Sequence, residues 1–419
     1  MKRKTLALAV AGVFAVPATA FAQQSNVQIY GRLYPSFAVM SSSGATPVGT
    51  TGLSDLAVQV TGNNFKSRNS VDAANSRIGF RGTEDLGGGL KAVWQLEQTV
   101  PLDTGEGGVF ATRTSFVGLG GGFGMVKLGN MDTVYKSLGD PIGILGISSG
   151  NFMSLSNIIS SRVPFGGAAG SFHLRAANSV LYESPTMGGF QLFAQWSPGG
   201  TAGGPNNEDQ TAGDNTRPEL WSLGATYAIG GLTLSLAHET HKDFYAGSTS
   251  PIASTLRNDT TVAHSKDRST RGTVMYRFGN GRVSLDLATI EFTESGQAPT
   301  IANPRKFESY KHTVWSVVWE QRWGGPWRSS VAYASSSAGS CKFVLMPGSA
   351  DCVTSGLAGN MLVLGGDYSF SKRTALYAVY AKLNNGQSSI YRNALNVGQG
   401  TIAAGTDITH YAIGIRHDF

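Results

Sequence analysis

The sequence predicts an all-β chain: a 16-stranded antiparallel transmembrane β-barrel, with the long loop after its fifth strand folded inward. Three observations lead there. Charged residues make up 14% of 419, against roughly 25% in an ordinary soluble domain, so charge cannot cover the exterior. Apolar and polar residues alternate with period two from residue 27 to the end, and no helical stripe of useful length competes. Connections alternate between very short, Gly-rich turns and long polar stretches.

The first 22 residues stand apart from the fold. Lys2, Arg3 and Lys4 precede an apolar run from Leu6 to Val16, and Ala20-Phe21-Ala22 offers a small-residue cleavage site. This pattern predicts a secretory signal over 1–22 and a barrel over 23–419. Loss of the signal lowers the net charge from +6 to +3. A balance so small, without a basic run, does not favour nucleic acid. No 18-residue apolar stretch follows residue 22, so helices do not supply the membrane spans.

The strands follow in order. Val27, Ile29, Leu33, Phe37 and Val39 set one face of the first strand against Gln28, Tyr30, Arg32, Tyr34 and Ser36. Seven tight turns, at Gly87 to Gly89, Gly120 to Gly124, Met187 to Gly189, Gly230-Gly231, Asn280-Gly281, Gly324 to Pro326 and Ser371 to Arg373, make seven hairpins. With a first and a last strand the count is sixteen. The strands fall near 27–40, 76–86, 90–100, 111–119, 125–134, 178–185, 190–198, 220–229, 232–242, 271–279, 282–293, 312–322, 327–336, 361–370, 374–384 and 408–419. Each is about ten residues, the length at which a tilted strand crosses a bilayer. Lipid cannot satisfy open sheet edges, so the first and last strands must pair. Aromatics near strand ends (Tyr182, Trp196, Trp221, Tyr227, Tyr276, Trp323, Trp327, Tyr377) fit interfacial girdles. A secreted β-sandwich or propeller is the soluble alternative.

Sixteen strands enclose a lumen too wide for side chains to fill. The longest connection, about 135–177, carries Ile142, Ile144, Leu145, Phe152, Met153, Leu155, Ile158 and Ile159, too many apolar residues for a solvated loop. Packing against the inner wall is expected; an external flap at subunit contacts is the alternative. Cys341 and Cys352 lie in a Gly/Ser-rich loop of an exported chain, which predicts one disulfide, with free thiols as the alternative.

The segments VQIYGRLYPSF, SRIGFRGTEDLGGGLKAVWQLE, TRTSFVGLGGGFGMVKLGN, NSVLYESPTMGGF and the terminal GIRHDF resemble the general porins of β-proteobacterial outer membranes over nearly the whole mature chain. The resemblance implies a homotrimer in the outer membrane, among its lipid and lipopolysaccharide, with the third long loop as constriction. It also implies that Phe419 is read by the barrel assembly machinery. Two departures stand out. Tyr34 replaces an acidic residue of many members, and Leu181 a lysine of some, so selectivity does not transfer from relatives.

Outward Ile78 and Phe80 place Arg77 and Arg81 in the lumen. Outward Phe116 likewise places Arg113 there, outward Val126 and Leu128 place Lys127, and the first-strand pattern places Arg32. These five make a basic wall on strands one, two, four and five, with Arg32, Arg77 and Arg113 nearest mid-height. Glu97 on the third strand, and Asp132 and Asp140 at the start of the long loop, are the nearest acidic candidates. A basic wall opposite a loop carboxylate gives a transverse field, and the balance predicts modest anion preference. Plain solvation of a polar interior is the simpler account of the same charges. No cofactor, metal or catalytic set is expected. His238 and His241 form HETH, but an i,i+3 pair on a strand points to opposite faces. Passive diffusion of small hydrophilic solutes and ions is therefore the expected function. A solute-specific channel for sugars or organic acids is its nearest rival, ahead of an outer-membrane enzyme or adhesin.

Overall fold

The computed structural model describes residues 26–56, 62–106, 110–139, 143–147, 151–159, 172–199, 217–244, 264–295, 298–392 and 402–419. The expected signal over 1–22, and the loop residues Asp140 and Ile142, lie outside them. Within the described residues, strand segments form one antiparallel sheet. They are β1 (Asn26–Leu33), β2 (Ser36–Ser43), β3 (Arg68–Asp72), β4 (Arg77–Gly87), β5 (Leu90–Thr99), β6 (Ser115–Gly121), β7 (Gly124–Asp132), β8 (Arg175–Glu183), β9 (Phe190–Ser197) and β10 (Glu219–Ile229). The sheet continues through β11 (Leu232–Lys242), β12 (His264–Phe278), β13 (Gly281–Ser295), β14 (Arg305–Arg322), β15 (Trp327–Ser336), β16 (Ser340–Leu345), β17 (Gly359–Ser369), β18 (Thr374–Asn385) and β19 (Asp407–Asp418).

Three pairs of segments are single barrel strands with a local break, which reduces nineteen segments to sixteen strands. β1 and β2 are separated by Tyr34 and Pro35, and both pair with β19. Pro35 has no N–H to contribute to a ladder, and the Tyr34 N–H goes to Ser76 Oγ at 2.9 Å. β3 and β4 are interrupted at the same level, where Asn75 has φ 76°. β14 pairs with β15 over one half of its length and with β16 over the other.

Closure is made by the termini. Gly31 N–H donates to Phe419 O at 3.0 Å and Phe419 N–H to Gly31 O at 3.1 Å. Arg32 stands in register with Asp418 on one side and with Arg77 on the other. The Phe419 ring occupies the space a Cβ on Gly31 would need. At the tight turn after β4, Gly88 and Gly89 have φ of 60° and 81°, the positive pair that a hairpin matching strand twist requires.

Outward residues form an apolar band, with Leu236, Leu287, Leu285, Ile413 and Tyr411 exposed. Tyr182, Trp221, Tyr227, Tyr276, Trp323 and Trp327 are exposed at the ends of their strands. Tyr377 departs from the girdle expectation. The outward parity of β18 belongs to Leu376, so Tyr377 faces inward and stacks on Tyr34 with ring centroids 4.4 Å apart. A second departure is length: β12 and β13 have 15 residues each and β14 has 18. Their extensions carry polar outward residues, which a search for apolar faces passes over. The expected fourth strand, 111–119, begins at Ser115. Its outward residues are Val117 and Leu119, while Phe116 packs inward against Met131 and Val134. Arg113, in a bend just ahead of the strand, is therefore not placed by an outward Phe116.

The inner wall of β14–β19 is itself apolar, through Val314, Val318, Ala332, Ala334, Met361, Val363, Val379 and Ala381, all buried. Something inside the barrel covers it.

Gly31→Val should strain the closure by roughly 1–3 kcal/mol through overpacking, seen as a smaller heat-modifiable fraction on refolding into detergent. Gly366→Val, where the nearest atom to a new Cβ is 3.6 Å away, should refold like the parent.

Candidate functional site: the lumen and its infolded loop

The chain leaves β7 and turns into the barrel. Helix α1 (Val134–Gly139) follows at once, and a short helix α2 (Ser156–Ile159) lies further along. Backbone donors of α1 are taken by the wall: Val134 N–H by Gln195 Oε1 at 3.0 Å and Tyr135 N–H by Ser222 Oγ at 2.9 Å. Ser269 Oγ donates to the Tyr135 hydroxyl at 2.7 Å. Burial pushes that hydroxyl above its ordinary value, so it stays protonated. Gly224 leaves room for the helix. A Cβ there would lie 2.5 Å from Leu138 Cδ1 and 2.7 Å from Val134 Cγ1.

The rest of the loop spreads over the apolar inner wall. Ile144, Leu145, Ile147, Phe152, Met153, Leu155, Ile158 and Ile159 share one buried cluster with Val314, Val318, Met361, Val363 and Val379. Leu145 packs over Gly365, and Phe152 over the His410 ring at 4.7 Å. Two arginines pin the loop backbone. Arg271, paired with Asp286, donates to Gly139 O. Arg32 donates to Gly146 O at 3.0 Å while its Nε meets Asp418 at 2.6 Å. The expected inward packing is therefore what these loop residues do.

The charges sort into two sectors. On β1–β8, Glu97 lies between Arg113 at 2.6 Å and Arg77 at 3.4 Å, and also accepts from Tyr30 at 3.2 Å. Asp132, the last residue of β7, lies between Lys136 at 2.8 Å and Arg175 at 3.0 Å. Arg175 Nε reaches Thr114 Oγ1 at 3.3 Å, so the two clusters adjoin. Each holds two cations to one carboxylate. Arg81 bonds Gln28 and has no carboxylate partner among the described residues, whereas Lys127 is neutralised by Glu183 at 2.7 Å. Glu97 and Asp132 thus stand within the basic wall and not across from it. The cause is adjacency: Gly79, two residues along from both Arg77 and Arg81, is the register partner of Glu97.

On β13–β19 the charges alternate: Arg282, Glu320, Arg328, Asp367, Arg416 and Asp418, each touching the next. Three cations meet three carboxylates, and Arg32 joins this belt to the other sector. Arg416 and Asp418, on the last strand, belong to the belt. Arg175, Lys136, Arg271 and the belt members Arg328 and Asp367 were not singled out from sequence. The inward parity of Arg271, Arg328 and Asp367 was available as a signal, while Arg175 and Lys136 fell inside the loop assignment.

Cys341 and Cys352 form a disulfide that ties β16 to the following loop. His238 is exposed while His241 is buried against Glu239 at 2.8 Å, on the opposite face. No group of metal-ligating side chains occurs among the described residues.

Comparison with known proteins matches residues 6–388 to the family model described as Gram-negative porin. The major outer membrane protein P.IB of Neisseria lactamica is 32% identical over 217 residues, 51% of this chain and 55% of that protein. P.IB of Neisseria gonorrhoeae is 37% identical over 142 residues, 33% of this chain and 37% of that one. The chain spans about half the length of the curated relatives it matches. The anion-selective porin from Comamonas acidovorans has TM-score 0.64 at 23% identity, covering 94% of this chain and 100% of that one. OmpT of Vibrio cholerae in a trimer form has TM-score 0.57 at 14% identity, covering 94% and 99%. These structures share the fold, a closed barrel of sixteen antiparallel strands.

Arg271→Leu removes the cation from a buried ion pair with Asp286, which costs about 3–5 kcal/mol, and withdraws the donor to Gly139 O. Protease cleavage within 134–159, mapped by mass spectrometry, should rise. Adding Asp286→Leu should restore thermal stability and leave the loop cleavable.

Proposed function

Because the chain belongs to the Gram-negative porin family, we propose that it forms a trimeric, water-filled channel through which small hydrophilic solutes and ions diffuse passively, with modest preference for anions. Its barrel lies in the outer membrane. The observation that carries the reading is the loop docked on one side of the lumen, facing a wall with surplus positive charge. Two cation pairs share one carboxylate each, and Arg81 has none among the described residues. The opposite belt holds three cations to three carboxylates, with Arg32 sharing Asp418 as a fourth cation, so most of the surplus sits on the β1–β8 sector. Fixed charge of one sign in a narrowed aqueous path favours counter-ions.

Within this proposal Arg77, Arg113 and Arg175 set the field, with Arg81 and Lys127 further along the wall. Glu97 and Asp132 temper it, and Asp140 adds a carboxylate at the loop's start. Arg32 acts differently. It shares Asp418 with Arg416 and donates its other nitrogen to the loop, so it holds the constriction in place. Trimer formation is supported by the trimeric neighbour, and the reading of Phe419 by the assembly machinery by its place at the closing seam. A sugar-specific path would use an aromatic track. Tyr34 is inward but buried under Tyr377, which favours the general channel.

The test is the zero-current potential in a planar bilayer under a salt gradient. The parent should favour anions. Arg77→Gln and Arg113→Gln should each move the potential toward cations, and Glu97→Gln should move it the other way. Arg32→Gln should chiefly change single-channel conductance and its noise. A cation-favouring parent would overturn the charge assignment, and a folded protein without conductance would reopen the enzyme and adhesin readings.

A further inference from the structure

Three connections on the side of the long loops, far apart in sequence, are stitched into one body over the infolded loop. They are residues 44–56 after β2, residues 346–358 before β17, and the described parts of the connection from β18 to β19, 386–392 and 402–406. Thr46 N–H donates to Ala404 O at 2.8 Å and its hydroxyl to Gln387 O at 2.7 Å. Ser54 N–H donates to Ser388 Oγ at 2.8 Å. Gly386 comes so close to Gly356 that a Cβ on it would meet Gly356 O. Leu56, Leu357, Ile390, Tyr391 and Ile402 are buried in the same cluster as Ile144, Phe152 and Ile158 of the infolded loop. The Tyr391 hydroxyl donates to Ser336 Oγ at 2.7 Å, on the inner face of β15. The body therefore lies within the mouth of the barrel and covers the loop.

Asp55 fastens this body to the wall on its far side. Pairing runs from β2 through β19, β18 and β17 to β15, so residues 44–56 pass three strands to reach the hairpin of β14 and β16. There the two carboxylate oxygens of Asp55 take different partners. Oδ1 accepts from Arg305 Nη1 at 3.0 Å and Oδ2 from the Val353 N–H at 2.9 Å. Asp55 N–H and Ser54 Oγ both donate to Val353 O, at 3.1 and 2.8 Å. Both main-chain groups of Val353 are thus gripped from across the mouth. Its neighbour Cys352 is bridged to Cys341 of β16, which stands in register with Tyr310 of the 18-residue β14. A bridge across so short a loop restricts chiefly that loop, so its effect falls on the segment that Asp55 holds.

We propose that Asp55 and the Cys341–Cys352 bridge are positioning residues for permeation: together they clamp this body onto the infolded loop, and the clamped body sets the size limit for entering solutes. The proposal rests on the channel reading and deepens it, because it assigns the size limit to residues remote from the charged wall. When the clamp is released at either point, the body rises from the mouth. The apolar residues of the infolded loop then lose their cover, and larger solutes reach the passage.

The test uses the folded full chain in liposomes and reads the swelling rate in a large neutral sugar, stachyose, divided by that in a small one, arabinose. Dithiothreitol is added after folding, so no variant has to survive refolding. It is oxidised to its own disulfide as Cys341 and Cys352 become thiols, and alkylation with mass spectrometry measures how many. The ratio should rise on reduction and return on reoxidation. Asp55→Asn should raise it about tenfold, the shift of a closed-to-open equilibrium on loss of one charge-assisted contact. Asp351→Asn, which alters a carboxylate beside the bridge that accepts from the Cys352 N–H, should leave the ratio at the parent value. A ratio unmoved by complete reduction or by Asp55→Asn, or raised equally by Asp351→Asn, overturns the proposal while the channel reading stands. A zero-current potential that moves together with the ratio also overturns it, since the effect would then lie in the charged wall. A folded parent that passes neither sugar overturns the channel reading and this proposal with it.

Discussion

A peptide group in hydrocarbon has no water to bond, and each unsatisfied N–H or C=O there costs several kcal/mol. The sheet must therefore close, and the seam between β19 and the broken first strand is where that requirement is met. Gly31, Phe419, Arg32 and Asp418 all take part in the seam. The kink at Tyr34 and Pro35 lets the last strand pair with two segments of the first, and Ser76 takes up the N–H the kink would orphan. Once closed, the sheet has a lipid-facing outside and an inside that must be furnished by the chain itself.

That inside is an inverted core. In a soluble domain the apolar faces of a sheet pack on helices outside a strand layer. Here the apolar inner faces of β14–β19 are covered by the chain's own loop, which brings Leu145, Phe152 and Ile158 to them. The loop stays because its apolar residues gain burial and its backbone groups gain partners from Arg271, Arg32, Gln195 and Ser222. The loop docks by its apolar residues on the apolar stretch of β14–β18 and by its backbone on Gln195, Ser222 and Arg271, and it leaves the basic sector of β1–β8 uncovered.

The charges show why counting is not enough. Paired cations around Glu97 and Asp132 retain surplus charge, whereas within the belt from Arg282 to Asp418 three cations meet three carboxylates. Both are rows of inward ionic residues on adjacent strands, and only the ratio of cation to carboxylate within contact distance separates them.

Much of this was legible in the sequence. Period-two alternation gave the strands, Gly-rich turns their pairing, and parity alone placed Arg32, Arg77, Arg81 and Lys127 inside, because each depends on neighbours along the chain. Excess apolar content in the 135–177 loop announced the docking that its described residues, such as Leu145, Phe152 and Ile158, make. Only tertiary structure decided which wall it docked on, that Arg32 clamps it, that Glu97 and Asp132 sit among the cations, and that Tyr377 covers Tyr34. Those outcomes depend on register between strands far apart in sequence, such as Arg32 beside Asp418, and on barrel tilt. A one-dimensional pattern tells which face a residue takes, but its height on the wall, and so its partner, is set only when the sheet closes.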